Sequence, residues 1–210
     1  MSSLDQALSK RILPAVVLDD AELAEPLAEA LLAAGLDVIE ITFSTAAAEE
    51  AIRRIAKRFP AMCLGAGTLL EPDQVRRAAA AGATFGVAPG LSERTAEAAG
   101  RCKLQLVPGV LTPSEVERAL GLGFQVLKFF PAEISGGVKM LQALAGPFAH
   151  TGVKFVPTGG IDGANMRDYL ALKVVAAVGG SWMVAPKLIA AQNWPEIQRL
   201  TREALAQAAN

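Results

Sequence analysis

The chain has 210 residues, 52% of them hydrophobic, and a formal net charge of −1 at pH 7. This length suits a single α/β domain spanning residues 1–210, and the apolar content is high enough to build a large core, which argues against a disordered chain. The near-zero charge argues against a nucleic-acid partner, and no apolar run is long enough to predict a membrane span.

The cysteine and histidine content argues against several kinds of metal and catalytic site. Cys63 and Cys102 lie far apart and form no C-x-x-C pair, so we expect neither a disulfide framework nor a zinc site. One histidine, His150, is too few for a multi-histidine metal site or a histidine relay. Residues 1–10 contain no apolar signal-peptide core, and the unpaired cysteines favour a cytoplasmic protein.

After a short N-terminal helix over residues 1–10, β-rich runs alternate strictly with helical stretches. The predicted strands cover residues 12–18, 37–43, 62–69, 84–88, 104–110, 125–130, 154–157 and 174–178. The predicted helices cover residues 21–34, 45–58, 72–81, 92–99, 112–122, 137–145, 163–172, 185–191 and 194–208. Gly35 and Gly82 are suited to end two of these helices, since glycine adopts the left-handed conformation common after a helix.

The alternation predicts parallel strands joined by helical crossovers. Eight strand–helix units in a chain of this length predict a (β/α)8 TIM barrel, a single α/β domain with an additional N-terminal helix. A doubly wound open sheet is the alternative. It is disfavoured because no G-x-G-x-x-G motif opens the first helix, and because such a sheet usually has fewer strands.

The sixth predicted strand carries a lysine, Lys128, between apolar residues. Burying an unpaired ammonium group is costly, and desolvation favours the neutral amine, which can attack a carbonyl to form a Schiff base. The alternative is that Lys128 snorkels to water and covers apolar surface with its stem.

Polar residues within the strands are predicted to face the barrel interior, because alternate strand residues point to opposite sides. Four come from four different strands: Glu40, Thr68, Lys128 and Thr158. All lie toward the C-terminal ends of their strands, where barrels of this type build active sites. A purely structural ion pair between Glu40 and Lys128 is the alternative interpretation.

Glycine pairs follow the last two predicted strands. Glycine lets backbone N–H groups approach an anion closely, and the loops after strands seven and eight are the usual phosphate site of this barrel. We therefore predict a phosphate site built from Gly159, Gly160, Gly180 and Ser181. The pair at 136–137, after strand six, could extend it.

An interior lysine, an interior carboxylate and a phosphate site together predict a class I aldolase. In such an enzyme the lysine amine forms an iminium with a keto group, and the carboxylate moves protons. This chemistry requires neither a metal nor an organic cofactor.

Several motifs, in one order, resemble the 2-keto-3-deoxy-6-phosphogluconate (KDPG) aldolase family. They are Leu127-Lys128-Phe129-Phe130-Pro131-Ala132-Glu133, Gly65-Ala66-Gly67-Thr68, Pro89-Gly90-Leu91, Pro157-Thr158-Gly159-Gly160-Ile161 and Gly179-Gly180-Ser181-Trp182. The resemblance implies a cytoplasmic homotrimer of barrels that cleaves KDPG to pyruvate and glyceraldehyde 3-phosphate in the Entner–Doudoroff pathway. Many members also act on 4-hydroxy-2-oxoglutarate (KHG), giving pyruvate and glyoxylate.

Other functions stay open from the residues alone. Within the same chemistry, the alternatives are a KHG aldolase and a 2-dehydro-3-deoxy-6-phosphogalactonate aldolase. A phosphate-binding barrel isomerase or epimerase would keep the glycine loops without needing Lys128. A non-catalytic sugar-phosphate-binding module would treat Lys128 and Glu40 as structural.

The resemblance also implies residue roles. Lys128 resembles the Schiff-base lysine and Glu40 the general acid/base, while Thr68 and Thr158 resemble donors to the substrate carboxylate or hydroxyls. Pro89 and Phe130 are expected to line the pocket, beside the phosphate-binding glycines and Ser181.

One position departs from the family pattern. Ser44 stands where the family commonly has an arginine that helps to hold the substrate carboxylate. A hydroxyl makes a weaker contact than a bidentate guanidinium, so we expect weaker binding of the pyruvyl part or an altered donor substrate. Arg53 is a nearby arginine, but its predicted position on a helix does not establish that it replaces the missing one.

Overall fold

The computed structural model of the protein describes residues 2–209. Within them the strands are β1 Ile12–Val16, β2 Val38–Thr42, β3 Cys63–Gly67, β4 Phe85–Val87, β5 Gln105–Val107, β6 Gly109–Val110, β7 Val126–Phe129, β8 Lys154–Pro157 and β9 Val178–Gly180. The α-helices are α1 Ser3–Ser9, α2 Ala24–Ala33, α3 Ala48–Arg58, α4 Pro72–Ala81, α5 Glu93–Arg101, α6 Pro113–Gly121, α7 Gly137–Ala145, α8 Met166–Leu170, α9 Pro186–Ala190 and α10 Trp194–Ala208. Three 3-10 helices lie at Ala21–Leu23, Gly146–Thr151 and Trp182–Val184.

All the paired strands run parallel, as the alternation predicts. One sheet has the order β5-β4-β3-β2-β1-β9, and a second has the order β6-β7-β8. The strands are buried on both faces; every residue of β2 and β3 is buried. This is the pattern of a parallel sheet covered by helices, so the chain adopts an α/β fold with a curled parallel sheet.

Proline divides the predicted strand 104–110 into β5 and β6. Pro108 has no N–H to donate to a sheet ladder, which accounts for the interruption. Its carbonyl still accepts a hydrogen bond from the backbone N of Lys128 at 2.8 Å. The prediction of an extended segment here is therefore correct, but its continuity is not.

The last strand lies later in the chain than predicted. The expectation was residues 174–178 followed by a glycine loop, whereas β9 covers Val178–Gly180 and its glycines pair with Leu13 and Pro14 of β1. Isolated bridges join Val175 to Phe155 and Gly179 to Thr158. The glycine pair predicts a loop, but both residues are constrained by close packing, Gly179 against Thr158 and Gly180 against Trp182.

The N-terminal helix α1 covers the N-terminal ends of the central strands. The hydroxyl of Ser3 donates to the carbonyl of Thr84 at 2.9 Å, and the backbone N of Leu4 donates to Gln105 Oε1 at 3.0 Å. Ala7, on the inner face of this helix, is fully buried. Because this end of the sheet is covered, the opposite end, after the strands, is where polar strand residues can be reached.

No helix within residues 2–209 has the length and apolar character needed to cross a lipid bilayer.

Gly65 offers a test of the packing inside the sheet. A Cβ placed on this residue would lie 2.2 Å from the ring of Phe85, which is fully buried on the neighbouring strand. We expect Gly65→Ala to lower the free energy of unfolding by roughly 1–3 kcal/mol, because overpacking forces side chains and backbone to shift. Urea denaturation measures this change.

The matched control is Gly100→Ala in α5, where a Cβ would meet nothing within 4 Å. That substitution is expected to stabilise the protein by up to about 1 kcal/mol, because alanine has the higher helix propensity. Equal unfolding free energies for the two variants would contradict the packing argument.

Candidate active site

Lys128 is buried in the middle of the sheet. It lies in β7 with Gly109 on one side and Val156 on the other, and it is 6% exposed. Its Nζ lies 5.0 Å from the centroid of the Phe130 ring. Within residues 2–209, no carboxylate oxygen lies within 4.0 Å of this ammonium group. The lysine is therefore neither snorkelling to water nor held in a tight ion pair.

Glu40 is more deeply buried, at 1% exposure, in β2 between Ala15 and Gly65. Its Oε1 is buried without a hydrogen-bond partner in the described chain. The carboxyl lies over Gly67, where a Cβ would come within 2.0 Å of Oε1. Desolvation raises the pKa of Glu40, and the charge of Lys128 opposes that shift. A carboxyl in this environment can both hold and release a proton.

The side chain of Ser44 is connected to the strand of Glu40 through Thr42. The hydroxyl of Thr42 donates to the carbonyl of Val16 at 3.1 Å and lies 2.9 Å from the hydroxyl of Ser44, which is exposed. The guanidinium of Arg53 instead forms ion pairs with Glu49 and Glu50 on its own helix. The suggestion that Arg53 replaces the missing arginine thus has no support in the structure.

Thr68 directly follows β3 and has a backbone φ of +56°. A β-branched residue in this left-handed region is strained, because its Cβ crowds the backbone. The following residue, Leu69, is anchored by its N–H to the carbonyl of Val87 at 3.1 Å. Such strain is common at functional sites, where the surrounding structure holds it in place.

The turn after β8 brings Thr158 and two glycines beside the lysine strand. Thr158 is buried, and its N–H donates to the carbonyl of Phe129 at 3.0 Å. Gly159 and Gly160 have φ values of +101° and +77°, which glycine adopts without strain. A Cβ on Gly159 would lie 3.3 Å from the Phe130 ring. The predicted phosphate turn is therefore packed against the aromatic ring that Lys128 also faces.

The other predicted phosphate residues lie in and after β9. Gly180 is buried in the strand, with the ring of Trp182 packed so closely that a Cβ would be 2.2 Å away. Ser181 is exposed and precedes the 3-10 helix Trp182–Val184. Gly179 also has a packing role, since a Cβ there would come within 2.3 Å of the Thr158 hydroxyl.

Two further predicted positions lie near the lysine strand. The carbonyl of Pro89 packs against Gly109, the residue paired with Lys128. Gly136 and Gly137 cannot extend the phosphate site through their amides. Those N–H groups already donate to the carbonyls of Glu133 and Ala132.

A hydrogen-bonded pair near the glycine turn was not singled out from the sequence. Tyr169 is fully buried on α8 and its hydroxyl donates to Glu133, which lies in the loop after β7. The two residues are far apart in the chain, so no local pattern links them. No cluster of three or more His, Cys, Asp or Glu residues suited to a metal ion occurs in the described chain.

The burial of Glu40 predicts a specific pH dependence of stability. Its raised pKa means that the folded state binds the proton more tightly than the unfolded state, so this contribution to stability is complete below the ordinary value of 4.5 and is lost as the pH rises through the raised pKa. Glu40→Gln removes the cost of ionising the buried carboxyl. We expect the variant to be more stable than the parent at pH 8, and the difference to disappear near pH 4.

Urea denaturation across this pH range measures the difference. Glu97→Gln is the control, because Glu97 is exposed on α5 and forms an ion pair with Arg101, which is also exposed. A Glu40→Gln variant less stable than the parent at pH 8 would show that attraction to Lys128 outweighs desolvation.

Comparison with known proteins assigns this arrangement to a family. A family model for the KDPG and KHG aldolases matches residues 4–200. The KHG/KDPG aldolase of Escherichia coli (strain K12) is 47% identical over 194 residues, which is 92% of this chain and 90% of that protein.

Solved structures agree with the sequence comparison. KDPG aldolase from Legionella pneumophila, with pyruvate captured at low pH as a covalent carbinolamine intermediate, superposes with a TM-score of 0.92 at 39% identity, covering 97% of this chain and 98% of that one. The KDPG aldolase of Zymomonas mobilis ZM4 with 3-phosphoglycerate gives a TM-score of 0.87 at 38% identity, covering 98% and 97%. On these grounds, and with a buried lysine and carboxylate in its parallel sheet, the chain belongs to the KDPG and KHG aldolase family.

Proposed function

We propose that this aldolase cleaves KDPG to pyruvate and glyceraldehyde 3-phosphate through a Schiff base on Lys128. The observation that carries the proposal is the burial of Lys128 at 6% exposure with no carboxylate within ion-pairing distance in the described chain. The neutral amine is the form of lysine that attacks a carbonyl. The pyruvate carbinolamine of the Legionella relative supports the same chemistry here.

The side chains of Lys128 and Glu40 account for the steps of the reaction. The Nζ of Lys128 attacks the keto carbon to give a carbinolamine, and loss of water leaves an iminium. Glu40 accepts the proton of the hydroxyl at C4 as the C3–C4 bond breaks, and the electron pair moves into the iminium to form an enamine. The aldehyde product leaves. Protonation of the enamine and hydrolysis of the iminium then release pyruvate and free Lys128.

Glu40 suits the proton-transfer role because burial raises its pKa. A catalytic acid/base works best when its pKa is near the operating pH, and an exposed glutamate would be too weak a base. The interior position also keeps the carboxyl away from surface cations that would lower its pKa again. We assign it both proton transfers, out of the C4 hydroxyl and back to the enamine.

The remaining polar groups are assigned to substrate binding. Thr68 and Thr158 supply hydroxyls for the pyruvyl carboxylate and the sugar hydroxyls. We assign phosphate binding to Gly159, Gly160, Gly180 and Ser181. The Zymomonas relative, whose structure is with 3-phosphoglycerate, supports a phosphorylated ligand for this family. Phe130 and Pro89 line the pocket and exclude water from the iminium. KHG is the second substrate we propose, because the family model covers KHG aldolases as well.

Assembly and barrel closure are further parts of the proposal. If β5 and β6 count as one strand interrupted at Pro108, the strands number eight in the described chain, and the bridges from Phe155 and Thr158 connect β8 to the last strand. This supports a closed (β/α)8 barrel. The homotrimer implied by the resemblance is tested by light scattering of the purified protein, and the cytoplasmic location stays a prediction.

Borohydride trapping tests the Schiff base. Incubation with pyruvate and sodium borohydride is expected to add one reduced pyruvate to Lys128, which peptide mass spectrometry locates. Lys128→Met should abolish both the adduct and aldolase activity. Lys154→Ala should retain both, because Lys154 lies in β8 with its ammonium on the carbonyl of Lys173. No adduct on Lys128 at neutral pH would exclude the mechanism.

Ser44 supplies a second test. Ser44→Arg adds a guanidinium at the exposed side chain beside Thr42, and we expect the KM for KDPG to fall by about tenfold, since a charge-assisted bidentate contact replaces a hydroxyl contact. Ser44→Gln is the control for a long neutral side chain and should not improve KM. An unchanged KM for Ser44→Arg would mean that the carboxylate is held elsewhere.

A further inference from the structure

The loop after β7 and the turn after β8 are joined through backbone hydrogen bonds. The N–H of Ala132 donates to the carbonyl of Thr158 at 2.8 Å, and the N–H of Glu133 donates to the carbonyl of Gly159 at 3.0 Å. A Cβ on Gly160 would lie 2.7 Å from the Cβ of Glu133. Glu133 therefore packs directly against the glycine turn. It lies in the loop after β7, five residues beyond Lys128.

The side chain of Glu133 is held in turn by Tyr169. The Tyr169 hydroxyl donates to Glu133 Oε1, and the tyrosine is fully buried on α8. Burial, together with Glu133 beside it, raises the pKa of Tyr169, so the phenol stays protonated and remains a donor. Gly137, at the start of α7, leaves room for the pair, since a Cβ there would lie 3.3 Å from Glu133 Oε1 and 3.4 Å from the Tyr169 hydroxyl.

The hydrogen bonds that hold the glycine turn use its carbonyls. The carbonyl of Gly159 accepts from Glu133, and the carbonyl of Gly160 accepts from Asn165 Nδ2 at 2.9 Å. In the described chain, the N–H group of Gly160 has no protein acceptor, whereas Gly159 adjoins the bridge between Thr158 and Gly179. A turn fixed from behind through its carbonyls can direct a free amide toward an anion without rearranging on binding.

We propose that the Glu133–Tyr169 hydrogen bond positions the Gly159–Gly160 turn for phosphate, and so sets the preference of the enzyme for phosphorylated over unphosphorylated keto acids. This inference rests on the phosphate site of the proposed function. Glu133 and Tyr169 are positioning residues, because they act through the turn and not on the reacting atoms. The hydrogen bond spans from the loop after β7 to helix α8, so it also holds these two elements at a fixed distance.

The test compares a phosphorylated and an unphosphorylated substrate. Tyr169→Phe keeps the buried ring and removes only the hydroxyl donor. For this variant we expect the KM for KDPG to rise by about tenfold with kcat little changed, while kcat/KM for KHG stays within about twofold of the parent. Pyruvate release measures both reactions. Equal losses on the two substrates, or no loss on either, would overturn the proposal.

Glu133 supplies the matched variants. Glu133→Gln keeps an oxygen that can accept from the Tyr169 hydroxyl, so it should retain most of the preference for KDPG. Glu133→Ala should lose that preference as Tyr169→Phe does. A Gln variant as impaired as the Ala variant would mean that the negative charge matters and the hydrogen bond does not, which would also count against positioning.

A binding measurement separates failure of this inference from failure of the proposed function. The ring of Trp182 lies against Gly180, so in a Trp194→Phe background its fluorescence can report inorganic phosphate at the turn. Tyr169→Phe in that background is expected to raise the dissociation constant for phosphate by about tenfold. If the parent cleaves neither substrate, the proposed function fails. The phosphate titration then still decides the inference, because an unchanged dissociation constant overturns it.

Discussion

Two ionisable side chains, buried in the two parallel sheets, set the main physical constraint on this protein. Glu40 and Lys128 are 1% and 6% exposed, and they form no ion pair within 4.0 Å. Each therefore bears a desolvation cost that a close partner would have reduced. The rest of the fold must supply the stability to maintain them, and it does so with strands that are buried on both faces and covered by helices.

The space for these groups is made by glycines in neighbouring strands. Gly67 accommodates the carboxyl of Glu40, and Gly109 lets the carbonyl of Pro89 approach the lysine strand. Gly179 leaves space for the hydroxyl of Thr158. A Cβ at any of the three would come within 2.0–2.3 Å of its neighbour, so substitution there would displace a polar group of the site and not merely loosen the backbone. These glycines thus belong to the site as fully as the side chains they accommodate.

The sequence was sufficient for the order of the elements and for the polar strand residues, because both follow from periodicities that are local. Lys128 and Glu40 could be identified since each is a charge within an apolar strand. The sequence places the last strand too near the N-terminus, because two consecutive glycines are typical of a loop. The pairing of Gly179 and Gly180 with β1, which no local pattern reveals, puts them in β9. The Glu133–Tyr169 hydrogen bond was not predictable, because it depends on how α8 packs against a distant loop.

The loop after β7 links the strand that carries Lys128 to the proposed phosphate turn. Lys128 lies on β7, and Ala132 and Glu133 of the loop that follows bond to Thr158 and Gly159. The register of β7 against β8, with Lys128 beside Val156, is therefore continued beyond the strands by the loop and the glycine turn. A shift of the turn along β8 would break these bonds. Sheet register thus fixes the distance between the backbone of Lys128 and the glycine turn, which suits a substrate in which a fixed number of carbon atoms separates the keto group from the phosphate.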